Sequence, residues 1–356
     1  MRTIPEILEA GAARTPGAPA LLAVGRPPLA WRALRDLVAR EGRALAGFGI
    51  GPRDPVAAVL PNGPEMAAAF LAISSAAPCA PLNPDYREAE FRFYLEDLSA
   101  RALVVLEGAE SPARRAAKDL GIRILELRPD GAEAGGFVLA GAREAGPAAA
   151  RECRPDDLAL VLHTSGTTAR PKRVPLTQAN LAASAEAVAA SLSLGPDDRC
   201  LNVMPLFHVH GLVAALLGSL GGGGGIVCST GFRAGEFFEW LAEADPTWFS
   251  AVPAMHQAIL ARLEASGGAF PRGRLRFIRS CSAALPPTVG AGLERAFGVP
   301  VLEAYGMTEA AHQMASNPLP PRPRKAGSVG VAAGAEIAIR GEGGEFLGAN
   351  RTGEIV

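Results

Sequence analysis

The sequence predicts an α/β protein of more than one lobe, and three observations carry that reading. Apolar segments of strand length alternate with amphipathic stretches at helical spacing, the pattern of a mainly parallel sheet covered on both faces. The length, 356 residues, exceeds the span of roughly 250–300 residues that one hydrophobic core fills. From about 326 onward the pattern changes to short alternating segments between glycine-rich turns, which predicts a small antiparallel sheet or barrel.

Residues 3–15 read as an opening amphipathic helix, and 31–48 as a second, with Leu34, Leu37, Val38, Leu45 and Phe48 on one face. A strand at 55–60, a turn at Pro61-Asn62-Gly63, a helix over 64–76 and a strand near 78–82 make a βαβ unit. A helix at 87–98, a strand at 102–106, a basic helix at 111–119 and a strand at 122–127 follow. The stretch 128–156, rich in Gly, Ala, Pro and Glu, is expected to connect lobes of about 1–155 and 156–325. Beyond it, "LALVLHTSG" is a strand running into a polar turn. Strands at 248–252, 275–279 and 299–304 then alternate with helices at 253–265 and 286–297.

Composition narrows the function. Hydrophobic residues make up 49% and charged residues 20%, enough apolar material for a large core. Lys plus Arg, 35, nearly cancels Asp plus Glu, 36, so global charge gives no reason to expect a nucleic-acid or anionic-membrane partner. An anionic ligand needs a local site. The lysines are only Lys118, Lys172 and Lys325, which makes each worth inspection. Five cysteines without a CxxC pair read as free thiols in a reducing compartment. Acidic residues near the N-terminus argue against a secretion signal. The charge-free stretches 66–84 and 200–232 contain Pro, Ser, Asn or consecutive Gly, poor material for a spanning helix. A cytoplasmic location is expected.

Four segments carry chemistry. Thr164-Ser165-Gly166-Thr167-Thr168-Ala169-Arg170-Pro171-Lys172 gathers four hydroxyls, a glycine and two cations after a buried strand. Glycine admits a phosphate to the backbone, hydroxyls and amides donate to it, and lysine supplies charge. The competing reading is an ordinary Ser/Thr-rich turn; no GxxxxGK[ST] pattern occurs. Tyr305-Gly306-Met307-Thr308-Glu309 is expected just past the strand 299–304, where ligands gather in parallel sheets. An aromatic face, a hydroxyl and a carboxylate there could stack a base, bind phosphate and hold Mg²⁺. "PLFHVHG" (205–211) and "SCSAAL" (280–285) complete the set. The five histidines show no zinc-ligand spacing.

In order and approximate spacing these segments resemble the acyl-adenylate-forming superfamily of acyl-CoA synthetases, luciferases and peptide-synthetase adenylation domains. "HTSGTTARPKRVPLT" resembles its phosphate-loop signature and "YGMTE" its adenine and magnesium signature, while "PLFHVHGL", "FIRSCSAAL" and "EAYGMTEAAHQMASNPLPP" resemble the oxalate-CoA ligase and peroxisomal-type branch. The resemblance implies the large N-terminal domain of the adenylate-forming fold, with two helix-flanked β-sheets and a small distorted β-barrel. It implies ATP and CoA as substrates, Mg²⁺, and a small carboxylic acid, with oxalate or another short diacid foremost.

Residue by residue, the resemblance assigns Thr164, Ser165, Gly166, Thr167, Thr168 and Lys172 to the β- and γ-phosphates. Tyr305 would stack on adenine, with Ser282, Ala283 and Ala284 opposite and Glu303, Ala304, Gly306 and Met307 lining the nucleotide site. Thr308 would contact the α-phosphate, Glu309 would carry Mg²⁺, and His208 would gate the passage to the acyl site. Candidates for the acyl site are His210, Ser280, Ser282 and His312, whose polar groups suit a second carboxylate better than an alkyl chain. A fatty or aryl acyl-CoA ligase, and a non-catalytic adenylate-binding module, are the alternatives. Two departures stand out. Arg173 occupies a position where Gly is usual, and the similarity stops at "TGEIV". The family's small C-terminal domain, with its adenylation lysine, is therefore expected to be absent, and turnover by this chain alone to be small.

Overall fold

Thr3 starts the first helix, Ile4–Arg14, its hydroxyl accepting from the Glu6 N–H at 3.2 Å. Ile4, Ile7, Leu8 and Ala12 recur on one face of that helix and are buried. The second helix, Trp31–Gly47, buries Trp31, Leu34, Leu37, Val38 and Leu45, and it crosses the first tightly. A Cβ on Gly11 would stand 2.3 Å from the Trp31 ring, so only glycine admits that contact. The structure is a computed structural model and describes residues 2–141, 151–164, 171–265, 267, 270 and 272–356.

Among these residues the strands form two large sheets and a small one. The first large sheet runs Phe137–Ala140, Arg123–Pro129, Ala102–Leu106, Val56–Val59, Cys79–Pro81, Leu158–Thr164, Lys172–Thr177, parallel inside and antiparallel at both ends. The second runs Val331–Ala332, His312–Ser316, Val301–Met307, Phe277–Ser280, Trp248–Ala251, Arg199–Asn202, Gly225–Cys228, Pro19–Ala23, Arg26–Ala30.

The helices Ile4–Arg14, Pro64–Ser74 and Gln178–Ser191, with the helical run beginning at His210, share one core with the inner faces of both sheets. Phe237–Ala244, Pro253–Ala265 and Pro287–Phe297 cover the outer face of the second sheet, and Glu88–Leu98 and Pro112–Asp119 that of the first. Five layers result, helices outermost and in the centre. The central helices explain the charge-free stretches: Pro64–Ser74 is buried along its whole length except Glu65. No helix among the described residues is long and apolar enough to cross a membrane.

The structure departs from the sequence expectations in four places. Strand pairing crosses the expected lobe boundary near 155: Pro19–Ala23 pairs with Gly225–Cys228, and Leu158–Thr164 with Cys79–Pro81. Each sheet completes itself with a segment from the other half of the chain. The expected connector 128–156 contains the strand Phe137–Ala140, and Glu41, buried, accepts the Leu139 N–H at 2.9 Å. The strand expected at 299–304 continues through Met307, so Tyr305, Gly306 and Met307 lie within it; antiparallel pairing to His312–Ser316 extends it. Over 326–356, where a barrel was expected, the strands are two residues long. Val331–Ala332 joins the second sheet, while Ile339–Arg340 pairs with Glu354–Ile355.

Candidate active site

Two close backbone approaches shape the site. A Cβ on Gly211 would stand 2.3 Å from the Pro205 carbonyl oxygen, so the 205–211 turn can fold back on itself only with glycine there. His210 thereby opens a π-helical run, His210–Leu217, at the carboxyl end of the strand Arg199–Asn202. Such runs recur at functional sites. A Cβ on Gly306 would stand 1.8 Å from the His312 carbonyl oxygen. Glycine at 306 lets the strand carrying Tyr305 lie against the one carrying His312, beside a register shift.

These approaches bring His210 and His312 together, ring centroids 5.3 Å apart, both 2% exposed. The His210 Nδ1 lies 3.1 Å from the Ser282 hydroxyl and its Nε2 lies 2.7 Å from that of Ser250. The His312 Nε2 is 3.8 Å from the Cys281 sulfur, and its Nδ1 has no hydrogen-bond partner among the described residues. Burial first, and then the nearby Arg279 charge, hold both imidazoles far below the ordinary histidine pKa. They are neutral at physiological pH. Ser282 has φ +76° and His312 φ +99°, a left-handed backbone that non-glycine residues adopt at a cost.

Ser282, Ala283 and Ala284 are exposed beside this pair, and Tyr305 is half-buried. Thr308 and Glu309 sit on the 3-10 turn Thr308–Ala310. Glu309 is exposed and lines a cleft of about 260 Å³ with Asn180, Ser184 and Gln313. A larger cleft, about 770 Å³, runs along the first two helices, and no sequence-predicted site residue borders it. His208 is exposed, its ring 4.6 Å from that of Phe207, yet the surrounding protein desolvates it enough to lower its pKa. The Glu303 carboxylate accepts the Gly327 N–H at 2.8 Å and so anchors the following loop.

Thr164 and Lys172 face each other as the last cross-strand pair before the segment 165–171 that joins the two strands. Ser165, Gly166, Thr167 and Thr168, assigned above to phosphate, lie outside the described residues. At the next cross-strand pair, His163 and Arg173, Asp97 forms an ion pair with Arg173 Nε at 3.3 Å and lies 3.0 Å from the His163 Nε2. Arg173 also donates to the Asp97 carbonyl at 2.9 Å. Its side chain is thus turned to the helix Glu88–Leu98.

Ser280 is buried and its hydroxyl has no partner among the described residues. Adjacent strand residues leave opposite faces, so Ser280 is directed away from Arg279 and Ser250, which serve His210. Sequence reasoning missed Arg279, Ser250 and Gln313. The signal for the first was available: a single arginine inside the otherwise apolar strand "FIRS".

Fold and cleft define a domain of the acyl-adenylate-forming class. The chain belongs to the AMP-binding enzyme family, whose sequence pattern matches residues 8–356. Among its relatives, the oxalate–CoA ligase of Arabidopsis thaliana is 43% identical over 99% of this chain and 70% of that protein. The oxalate–CoA ligase of Saccharomyces cerevisiae is 38% identical over 85% of this chain and 60% of its own length. The chain thus spans 60% to 70% of these relatives. Among solved structures, ATP-bound MatB from Rhodopseudomonas palustris superposes with TM-score 0.81 at 26% identity, over 99% of this chain and 69% of that one.

Proposed function

We propose that this chain is the nucleotide- and acid-binding domain of an ATP-dependent carboxylate–CoA ligase that acts through an acyl-adenylate on a short diacid, oxalate foremost. One observation carries the choice of acid. The predicted acyl position holds the buried His312, whose Nδ1 has no hydrogen-bond partner among the described residues, beside the Ser282 hydroxyl that His210 orients, and an alkyl or aryl chain would leave these two polar groups unpaired at about 1–3 kcal/mol each. A carboxylate supplies the acceptors they lack. The oxalate–CoA ligase relatives agree with this reading.

The chemistry asks the protein to hold a polyphosphate, neutralise charge at the α-phosphate and align a carboxylate with it. Lys172, on the exposed hairpin edge, supplies a cation to the phosphates, with Thr164 and the 165–168 segment donating beside it. Tyr305 offers its ring to adenine opposite Ser282, Ala283 and Ala284, with Glu303, Ala304, Gly306 and Met307 forming the rest of that wall, and Thr308 offers its hydroxyl to the α-phosphate. A single exposed carboxylate, Glu309, suits Mg²⁺, which takes one or two protein carboxylates and completes its shell with phosphate oxygens and water. His208, exposed and largely neutral, stands where phosphate and acyl sites meet.

Calorimetry with MgATP and AMP tests the nucleotide site. Wild-type chain is expected to bind both. Lys172→Ala should weaken ATP more than AMP, and Glu309→Ala should remove the Mg²⁺ dependence. A folded wild-type chain that binds neither nucleotide overturns the proposal.

A further inference from the structure

The largest polar side chain wholly removed from solvent belongs to Arg279, on the strand Phe277–Ser280. Its Nη1 donates to the Ser250 hydroxyl at 3.3 Å and its Nη2 to the Gln313 Oε1 at 3.2 Å, while its Nε has no nitrogen or oxygen partner among the described residues and the Cys281 thiol lies beside it. No carboxylate among the described residues pairs with it. The groups facing it are Ser250, Gln313, Cys200, Cys281, His210 and His312. A guanidinium stays charged even when burial lowers its pKa, and an unpaired buried charge costs several kcal/mol. Such a cation calls for an anion.

The neighbouring hydrogen bonds give that charge a direction. Arg279 can only donate, so it occupies a lone pair of the Ser250 oxygen. The Ser250 O–H is then free to donate to the His210 Nε2, which makes Nδ1 the protonated nitrogen, donating to the Ser282 oxygen. At the end of this line the exposed Ser282 keeps its own O–H for a ligand. Each bond in such a chain polarises the next. The chain runs from a buried cation to the cleft, with every donor pointing outward.

We propose that Arg279 is a specificity-determining positioning residue. Through Ser250 and His210 it presents Ser282, with His312 beside it, as donors to the second carboxylate of a dianionic acid, and its uncompensated charge favours that dianion over a monoacid. The inference rests on the acid-binding reading above and adds the source of the discrimination. Neither the carboxylate nor the phosphates need touch Arg279.

The test compares Arg279→Gln and Arg279→Met with wild type, fold being checked by circular dichroism. Oxalate and acetate, two-carbon acids with two and one carboxylates, are titrated calorimetrically into chain loaded with Mg²⁺ and a non-hydrolysable ATP analogue. Histidine pKa values are read by NMR on histidine-labelled protein. Gln can keep hydrogen bonds to Ser250 and Gln313 whereas Met cannot, so a packing role would separate the variants and a charge role makes them alike. Both should lower the oxalate-to-acetate affinity ratio about tenfold, raise the pKa values of His210 and His312, and leave nucleotide affinity within about twofold. A ratio unchanged in both folded variants, or lowered only in Arg279→Met, overturns the inference while the acid-binding reading stands. A wild-type chain that binds the nucleotide analogue but neither acid overturns that reading and the inference with it.

Discussion

The two large sheets handle charge in opposite ways near the candidate residues. On the hairpin of Leu158–Thr164 and Lys172–Thr177, Arg173 and His163 share Asp97, a partly exposed carboxylate, so the cation there already has its counter-charge. On the floor of the second sheet, Arg279 lies fully buried among hydroxyls, an amide, thiols and neutral imidazoles, with no carboxylate among the described residues to pair with it. The first arrangement is complete as folded and ties the hairpin to the helix Glu88–Leu98. The second is completed by an anionic ligand. Burial decides the difference, because water screens the exposed group and cannot reach the other.

The sharpest way to break the contrast is to disturb the floor. Gly306→Ala puts a methyl where the His312 carbonyl stands, at 1.8 Å, and is expected to cost about 3–5 kcal/mol of stability by urea denaturation. A cost under about 1 kcal/mol would show the floor to be plastic.

Acid should act on the same region. His256 is buried with its pKa lowered to about 4, chiefly by desolvation, against about 6.5 in the unfolded chain. The folded state prefers the neutral ring, so between those values the unfolded chain binds more protons and stability falls as pH drops. The loss approaches about 3 kcal/mol near pH 4, and His210 and His312 add to it in the same direction. Denaturation midpoints at pH 7 and 4.5 measure the slope, which His256→Gln should reduce.

The rim should respond in binding more than in stability. Lys172→Ala removes a charge-assisted contact worth about 1.5–3 kcal/mol, a ten- to hundredfold loss of ATP affinity, with the melting temperature little changed. Asp97→Asn is expected to have the smallest effect. Asp97 itself and its charged partner Arg173 are partly exposed, so stability should fall by under about 1 kcal/mol, with salt narrowing the difference between variant and wild type.

Much of the central architecture was legible because its signals are local. The strand Ala102–Leu106 is an uninterrupted apolar run, and the helix Pro253–Ala265 begins at a proline that its first turn tolerates. What escaped depends on long-range pairing. Arg26–Ala30 contains two prolines, which read as breakers, yet as the edge of its sheet it can spare the missing donors. Lys172–Thr177 reads first as the tail of a phosphate turn and becomes a strand only by pairing with Leu158–Thr164. Within the site, His210, Ser282 and His312 were legible through their motifs. Arg279 lies within the "FIRSCSAAL" segment but its partner Ser250 lies in none of the motifs, and only the parallel pairing of their two strands brings them together.

The central claim is that the acyl site is built for a small charged acid. Its most direct measurement is a calorimetric comparison of oxalate and octanoate on the wild-type chain loaded with Mg²⁺ and a non-hydrolysable ATP analogue. Saturable oxalate binding at least about tenfold tighter than octanoate, a difference of about 1.4 kcal/mol, is the predicted result. Tighter binding of octanoate would contradict it.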